Sequence, residues 1–392
     1  MTEADLMMKF ADPAMREIGP VVPRMAQRGD KLKRPKGAAV ISADDHWEIS
    51  RDIFRERFPK HLKEKAPEVW FDRYWRVGYR GQLENFALGE KIERAIEIST
   101  GAGVGDQKLH LEHMDIEGVS KSIMYPQSLL SFIRLPDLEV LEQMYRTYNE
   151  YIAEMQAASN GRTFGVGIFA NWWDPAAAER SMQQIVDLGL RTVMAPVNPG
   201  KSIDGSKIHY GDPVMDRFWS VIEASGLPFS FHVGEGMEDT EHRGGMGSYM
   251  LVSFSPFRKP LGQVIFGGVF DRHPKLKVVF AEGGIAWLLG ALQDAEMLYD
   301  TMGNGKILDR MEHRPTYYWH NHCYATFQND LIGLKNVDYL GADRIMWGSD
   351  YPHTEGTFGY TSNSLQSILD TVSEDQARMI MGGTAAKLYK LQ

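Results

Sequence analysis

The sequence has few of the features that mark secreted, membrane or nucleic-acid-binding proteins. It contains one cysteine, Cys323, in 392 residues, which excludes an internal disulfide and favours a reducing compartment. No run approaches the roughly 18 apolar residues of a membrane span, and the first residues lack the basic and apolar regions of a signal peptide. Basic residues are outnumbered, with 43 Lys and Arg against 52 Asp and Glu. We therefore expect a cytoplasmic protein that binds neither membranes nor nucleic acid.

Short apolar runs alternate with helical segments along most of the chain. The length alone would allow two or three domains of about 150 residues, or one large barrel. Alternation of strands and helices predicts a parallel sheet, and eight such units predict an α/β fold of the (β/α)8 TIM-barrel type. The predicted strands are residues 37–46, 119–126, 164–170, 190–196, 228–233, 277–282, 323–327 and 344–350.

The remaining segments are assigned around this barrel. Residues 1–36 are mixed in character and predict an N-terminal arm, whereas residues 37–392 form the barrel domain. Long connections, 47–117 and 234–276, follow the first and fifth predicted strands. Because the loops after barrel strands lie on the catalytic face, we expect these two connections to shape a substrate pocket.

Acidic residues and histidines follow four of the predicted strands at their carboxyl ends. Asp44 and His46 end the first strand, His232 ends the fifth, Glu282 the sixth and Asp350 the eighth. Each has an ordinary alternative explanation as a cap, a core histidine or an ion-pair partner. Their joint occurrence at ends that converge on one barrel axis instead predicts a metal site.

The residue types indicate which ions the site would take. Residues two apart in a strand face the same side, so Asp44 and His46 can hold one ion together. A mixed nitrogen and oxygen set suits Zn²⁺, Mn²⁺ or Fe²⁺ better than Mg²⁺ or Ca²⁺. With His353 three residues after Asp350, there are ligands for one or two ions. Asp350, Glu282 and His353 are the candidate catalytic residues.

Other side chains near the strand ends are candidates for the pocket. Trp47 and Glu48 directly follow the first predicted strand, and Tyr125 lies at the end of the second. We predict that these three side chains line the substrate pocket.

Several segments resemble the amidohydrolase-2 branch of the amidohydrolase superfamily. The similarity extends from about residue 38 to the C-terminus, and its segments are residues 115–119, 210–232, 280–288, 346–353 and 385–389. The resemblance implies a metal-dependent (β/α)8 enzyme, with Asp44, His46, His232 and Asp350 as ligands. In hydrolytic members the strand-eight aspartate accepts a proton from metal-bound water, whereas in decarboxylating members the ion holds the substrate carboxylate.

Two positions depart from the pattern of the decarboxylating relatives. Those relatives usually carry a histidine on strand six, where this chain has Glu282, and an acid three residues after the strand-one histidine, where Glu48 follows by two. The extra carboxylate favours a second or redox-active metal. A few relatives, resembling 2-aminoisobutyrate hydroxylase, hold two metal ions and activate oxygen.

Three functional hypotheses follow. The first is a metal-dependent hydrolase or non-oxidative decarboxylase acting on a small carboxylate or aromatic substrate. The second is a dinuclear iron or iron–manganese oxygenase that uses the same residues. The third is a silent barrel paired with an active homologue. The relatives are commonly dimers or tetramers, so we expect a homo-oligomer, with a hetero-oligomer of homologues as the alternative.

Overall fold

The computed structural model describes residues 29, 32–71, 75–79, 105–130, 132, 134–235, 242–253, 256–353 and 355–391. The strands in chain order are β1 Ile41–Trp47, β2 Glu68–Phe71, β3 Trp75–Gly78, β4 Lys121–Pro126, β5 Thr163–Ile168, β6 Thr192–Met194, β7 Phe229–His232, β8 Val278–Ala281, β9 Cys323–Phe327 and β10 Ile345–Trp347. Eight of them form one parallel sheet in the order β1-β4-β5-β6-β7-β8-β9-β10, and β2 pairs with β3 as a separate antiparallel hairpin.

The last strand of the sheet returns to the first. Asp45 forms a parallel bridge with Tyr351. The backbone N–H of His46 donates to the Tyr351 carbonyl over 2.8 Å, and the N–H of Asp350 donates to the Asp44 carbonyl over 2.6 Å. These bonds bring the ends of β10 and β1 together and close the sheet, as the (β/α)8 prediction requires. The predicted fold class is confirmed.

Helices alternate with the barrel strands. The α-helices are Ile53–Arg57, Gln107–Glu117, Leu138–Ala158, Ala178–Asp187, Asp216–Ser225, Gly245–Ser253, Arg258–Phe266, Val269–Arg272, Ala286–Leu298, Pro315–His322, Leu331–Leu334, Val337–Leu340, Thr361–Thr371, Glu374–Arg378 and Thr384–Leu388. Among the described residues, none of these helices combines the length and the apolar character needed to cross a bilayer.

Alternation along β7 shows how the sequence directs polar side chains into the barrel. Phe229 packs against Trp219 of a neighbouring helix, with ring centroids 5.1 Å apart. Between the two phenylalanines of this strand, Ser230 accepts a hydrogen bond of 3.0 Å from the Tyr125 hydroxyl of β4. Because successive side chains of a strand face opposite sides, His232 lies on the same side as Ser230. The end of β7 therefore presents an imidazole to the barrel axis.

The two long connections contain secondary structure of their own. The connection after β1 holds helix Ile53–Arg57, the β2–β3 hairpin and helix Gln107–Glu117. The connection after β7 holds helices Gly245–Ser253, Arg258–Phe266 and Val269–Arg272. Of the predicted arm, residues 1–28 and 30–31 lie outside the described residues. The described part of the arm is tied to the barrel by Arg34, which donates to the Gly118 carbonyl over 3.2 Å.

Candidate metal centre

The five side chains predicted as ligands meet at the carboxyl ends of four barrel strands. Asp44 and His46 belong to β1 and His232 ends β7, while Glu282 and Asp350 come directly or shortly after β8 and β10. All five are at most 4% exposed. Burial of three carboxylates in one place is costly unless cations or hydrogen-bond donors balance them.

Short contacts join the imidazoles to these carboxylates. The His232 Nε2 lies 3.0 Å from Asp44 Oδ1 and 3.3 Å from Glu282 Oε2. The His46 Nε2 lies 3.0 Å from Asp350 Oδ1. The candidate ligands from four strands therefore converge, although Asp350 lies 304 residues beyond His46 in the chain.

His353 extends the cluster on the Asp350 side. Its Nδ1 lies 2.8 Å from Asp350 Oδ1 and 3.8 Å from Glu282 Oε1. Its ring stacks on that of His46, with centroids 4.0 Å apart. In the described part of the chain, two groups have ligand atoms all within 4.8 Å of one another: Asp44, His46 and His232; and His46, Glu282, Asp350 and His353.

The orientation of the strand histidines suits metal binding. The Nδ1 of His232 lies 2.8 Å from the Val233 carbonyl, and the Nδ1 of His46 lies 3.4 Å from the Pro126 carbonyl. A ring nitrogen that donates to a carbonyl keeps its proton, so Nε2 is the atom that could bind an ion in place of a proton. Both Nε2 atoms face the carboxylates.

The residues present fit a divalent ion. Within the described residues, the Glu282 Oε2 and Asp350 Oδ2 atoms are buried and make no hydrogen bond. Buried carboxylate oxygens normally have a donor or a cation as partner, because desolvation without one is costly. Together with the imidazole nitrogens, these oxygens make a mixed donor set of the kind that binds Zn²⁺, Mn²⁺ or Fe²⁺.

Crowding also changes the proton affinities of the cluster. Burial raises the pKa of the Glu282 carboxyl, and the charge of Asp350 raises it further. Burial alone would raise the pKa of Asp350 too, but the attraction of His353 holds it well below its usual range. Burial would lower the pKa of His232, whereas Asp44 raises it to about 9. Protons thus balance part of the carboxylate charge that a divalent ion could balance instead.

Two of the candidate ligands have unusual backbone conformations. Glu282 has φ of +70° and Asp350 has φ of +56°, both in the left-handed region. Non-glycine residues in that region cost roughly 1–3 kcal/mol and concentrate at functional sites. Close approach at the same level requires Gly348, where a Cβ would lie 2.7 Å from the Asp44 Cβ. Local strain and a glycine contact thus place the ends of β8 and β10 around β1.

Thr326 of β9 is part of the site but was absent from the sequence prediction. Its Oγ1 donates to Asp44 Oδ2 over 3.1 Å and accepts from the Glu282 N–H over 2.7 Å. The threonine therefore orients one carboxylate and fixes the backbone of the other. Alternation along β9 is the only sequence signal that could have identified it.

The structure places the three predicted pocket residues in different surroundings. Tyr125 lies inside the barrel with its ring centroid 4.4 Å from that of His232. Glu48 is buried and accepts from the Ser128 hydroxyl over 2.5 Å. The indole nitrogen of Trp47 donates to the Tyr151 hydroxyl over 3.3 Å, which directs this side chain toward the helix Leu138–Ala158.

Burial also raises the pKa of Glu48, to about 7, although its hydrogen bond from Ser128 acts in the opposite direction. This carboxyl can therefore exchange a proton near neutral pH. The pocket roles of Glu48, Tyr125 and Trp47 stay predictions.

Comparisons with known proteins agree with this fold. The curated protein 2-amino-3-carboxymuconate-6-semialdehyde decarboxylase of Dictyostelium discoideum is 23% identical over 252 residues, which cover 62% of this chain and 65% of that protein. The chain thus matches just under two thirds of that relative's length.

Solved structures with similar folds include other decarboxylases. The amidohydrolase map2389c of Mycobacterium avium subsp. paratuberculosis K-10 aligns with a TM-score of 0.70 and 19% identity, covering 91% of this chain and all of that one. The 5-carboxyvanillate decarboxylase LigW of Sphingomonas paucimobilis aligns with a TM-score of 0.66 and 20% identity, covering 91% and 100%. A dihydroxybenzoic acid decarboxylase of Polaromonas sp. JS666, solved with manganese and 2-nitroresorcinol, aligns with a TM-score of 0.64 and 18% identity, covering 90% and 97%.

A family model provides the assignment. The Amidohydro_2 model, described as amidohydrolase, matches residues 127–391. This match covers more than half of the chain, begins directly after β4 and extends beyond the last helix, and it includes four of the six clustered residues. The chain belongs to the Amidohydro_2 family of amidohydrolases.

Proposed function

We propose that this protein is a metal-dependent carboxy-lyase that removes CO₂ from a small, oxygen-substituted carboxylate. The observation that carries the proposal is the buried group of imidazoles and carboxylates in which Glu282 and Asp350 each have an oxygen without a hydrogen bond. The decarboxylase relatives, one of them solved with manganese, support the choice of reaction and ion.

The ligands would be Asp44, His46, His232, Glu282 and Asp350. When bound, the ion would hold the substrate carboxylate and a neighbouring oxygen and draw electron density from them. Decarboxylation breaks the bond between the carboxylate carbon and the substrate. The electron pair of this bond stays on the substrate carbon, CO₂ leaves, and one proton takes its place.

Asp350 and His353 are the pair that would deliver that proton. The Asp350 carboxylate lies between the His46 Nε2 at 3.0 Å and the His353 Nδ1 at 2.8 Å. A proton held in this pair would move to the substrate carbon, and His353, whose side chain is 11% exposed, would take up its replacement from solvent.

The test is CO₂ release from a panel of carboxylates that includes dihydroxybenzoates and 5-carboxyvanillate. Protein loaded with Mn²⁺ should release CO₂ from at least one member, and a chelator should abolish the release. Asp350→Asn should lower the rate by roughly 10²–10⁴-fold, as expected for loss of the carboxylate that relays the proton with His353, whereas the exposed control Asp309→Asn should not. Release of ammonia or water-derived product from hydrolase substrates, with no CO₂ from any carboxylate, would refute the proposal in favour of hydrolysis.

The two overlapping ligand groups favour a second candidate, a dinuclear iron or iron–manganese oxygenase. His46 belongs to both groups, which together contain six side chains, and Glu282 after the sixth barrel strand, β8, provides a carboxylate. Metal analysis of protein purified without added metal separates the candidates. Two ions per chain including iron, with oxygen uptake on reduction, would support the oxygenase. One redox-inert ion without oxygen uptake would exclude it.

A further inference from the structure

The three clustered histidines share an arrangement in which each ring has one nitrogen toward the carboxylates and the other toward an oxygen. For His46 and His232 that oxygen is a backbone carbonyl, of Pro126 and Val233 respectively. Such carbonyls fix the proton on one nitrogen and leave the other free as a ligand.

For His353 the orienting oxygen belongs to a side chain. Its Nε2 lies 2.9 Å from the Oε1 of Gln127, while its Nδ1 lies 2.8 Å from Asp350 Oδ1. An amide oxygen only accepts hydrogen bonds, so the ring proton that this contact stabilises is on Nε2. The contact with Gln127 thereby directs Nδ1 toward the carboxylates of Asp350 and Glu282.

The backbone around Gln127 holds its amide in place. Gln127 directly follows β4, and its N–H donates to the Trp47 carbonyl at the end of β1 over 2.9 Å. Its own carbonyl accepts from the Leu130 N–H over 3.3 Å. The side chain therefore projects from a point that is tied to the same strand that bears His46.

We propose that Gln127 is a positioning residue that fixes the His353 ring so that its Nδ1 holds Asp350 in place as a ligand for the ion it would share with Glu282. The proposal rests on the metal dependence in the proposed function, but not on the reaction or substrate. Among the described residues that orient the three histidines, Gln127 is the one whose oxygen a substitution can remove. It holds the ring from outside the ligand set.

The test compares Gln127→Met with Gln127→Glu. Methionine preserves the length of the side chain but cannot accept the Nε2 proton, whereas a glutamate carboxylate can. Mn²⁺ affinity is measured by titration of metal-free protein, and the electron paramagnetic resonance spectrum of bound Mn²⁺ reports its ligands. We expect Gln127→Met to weaken binding by about 10–100-fold and to alter the spectrum. Gln127→Glu should restore both.

Three further variants exclude a general structural effect. The exposed Gln366→Met, which loses only a bond to Asp370, should bind Mn²⁺ like the parent protein. Gln127→Asn, which withdraws the amide by one carbon, should weaken binding as Met does, so that the result does not depend on one replacement. In a His353→Gln background, Gln127→Met should have no further effect on affinity, because the two substitutions remove the same interaction.

The outcomes separate this inference from the proposed function. If Gln127→Met and Gln127→Asn bind Mn²⁺ with parental affinity and an unchanged spectrum, Gln127 does not position a ligand, and the carboxy-lyase proposal is unaffected. Additive effects of Gln127→Met and His353→Gln would also overturn the inference. If the parent protein binds no ion, both proposals fail. If the ion binds as expected but no carboxylate releases CO₂, only the proposed function fails.

Discussion

Replacement of Asp45 by alanine should destabilise the barrel where its first and last strands meet. The Asp45 carboxylate is 1% exposed and accepts three hydrogen bonds. The Ser42 hydroxyl donates over 2.8 Å, the Ser122 hydroxyl donates to the second oxygen, and the Tyr351 N–H donates over 3.0 Å. Through these bonds one side chain joins β1, β4 and the residues after β10.

The structure limits how large the loss can be. The Ser42 hydroxyl can turn to the Asp44 carbonyl, which is 3.0 Å away, and the Ser122 hydroxyl already lies 3.3 Å from the Met124 sulfur. The Tyr351 N–H is fixed by the backbone and loses its Asp45 acceptor. One buried donor without this acceptor, weakened bonds for two hydroxyls and a small void together predict a loss of about 2–4 kcal/mol in the free energy of unfolding.

Asparagine at the same position should be tolerated far better. Its amide oxygen can accept from Ser42 and from the Tyr351 N–H, and its NH₂ group can donate to a rotated Ser122 hydroxyl. We expect Asp45→Asn to lie within about 1 kcal/mol of the parent. Asp52→Ala, an exposed aspartate whose side chain caps no helix N–H, is the matched control.

Urea unfolding of the metal-free protein at pH 7, followed by tryptophan fluorescence, measures these differences in unfolding free energy. The comparison requires that the variants share the parent's m value, the dependence of that free energy on urea concentration. The order of stability should be parent, Asp52→Ala, Asp45→Asn and then Asp45→Ala. A loss below about 1 kcal/mol for Asp45→Ala would refute the reasoning, because the hydrogen bonds across the closure would then contribute little to stability.

Three other perturbations test the same geometry. Burial lowers the pKa of His110 to about 3. The stability that depends on its neutral form is therefore fully present above about pH 6.5, the ordinary pKa of histidine, and is lost as the pH falls toward 3. His110→Phe should reduce the change in unfolding free energy with pH by about 1.4 kcal/mol per pH unit, whereas the exposed control His61→Phe should not. Urea unfolding between pH 4 and 6.5 measures this dependence, and an unchanged value in His110→Phe would contradict the prediction. Gly348→Ala should lower the free energy of unfolding by about 1–3 kcal/mol and weaken Mn²⁺ binding, because its Cβ would meet Asp44 at 2.7 Å. Parental stability in thermal unfolding and parental Mn²⁺ affinity in calorimetry would contradict this prediction. Removal of divalent ions should lower the unfolding midpoint, and Mn²⁺ at 100 times its Kd should return about 2.7 kcal/mol; equal midpoints would count against the metal site.

The candidate ligands could be predicted because they depend only on strand ends and on the two-residue period of a strand. Asp44 and His46 share a face of β1 by spacing alone, and parallel strands in a barrel bring His232, Glu282 and Asp350 to the same end. Neither argument requires any knowledge of loop conformation. The fold class followed from the same alternation of strands and helices.

The residues that orient the ligands could not be predicted in this way. Gln127 reaches His353 only because the chain after β4 is bonded to the end of β1, and Thr326 reaches Asp44 across the barrel from β9. The direction of Trp47 depends on a shift of register between Ser42 and Asp45 in the pairing of β1 with β4. Such a shift leaves no trace in the hydrophobic pattern, because it is set by the hydrogen bonds of the closed sheet.

In the metal-free protein, bringing the ligands together costs folding stability that a bound ion would offset. The closure of β10 against β1 holds Asp350 beside His46, and the left-handed backbone at Glu282 and Asp350 adds strain. Without an ion, burial and the charge of Asp350 raise the pKa of Glu282, and a proton there offsets part of the carboxylate charge. An ion that replaces this proton gains the attraction of three carboxylates already gathered by the barrel. Packing of the strands and helices, rather than contacts within the site, holds the ligands together. They are therefore already close to one another before an ion binds.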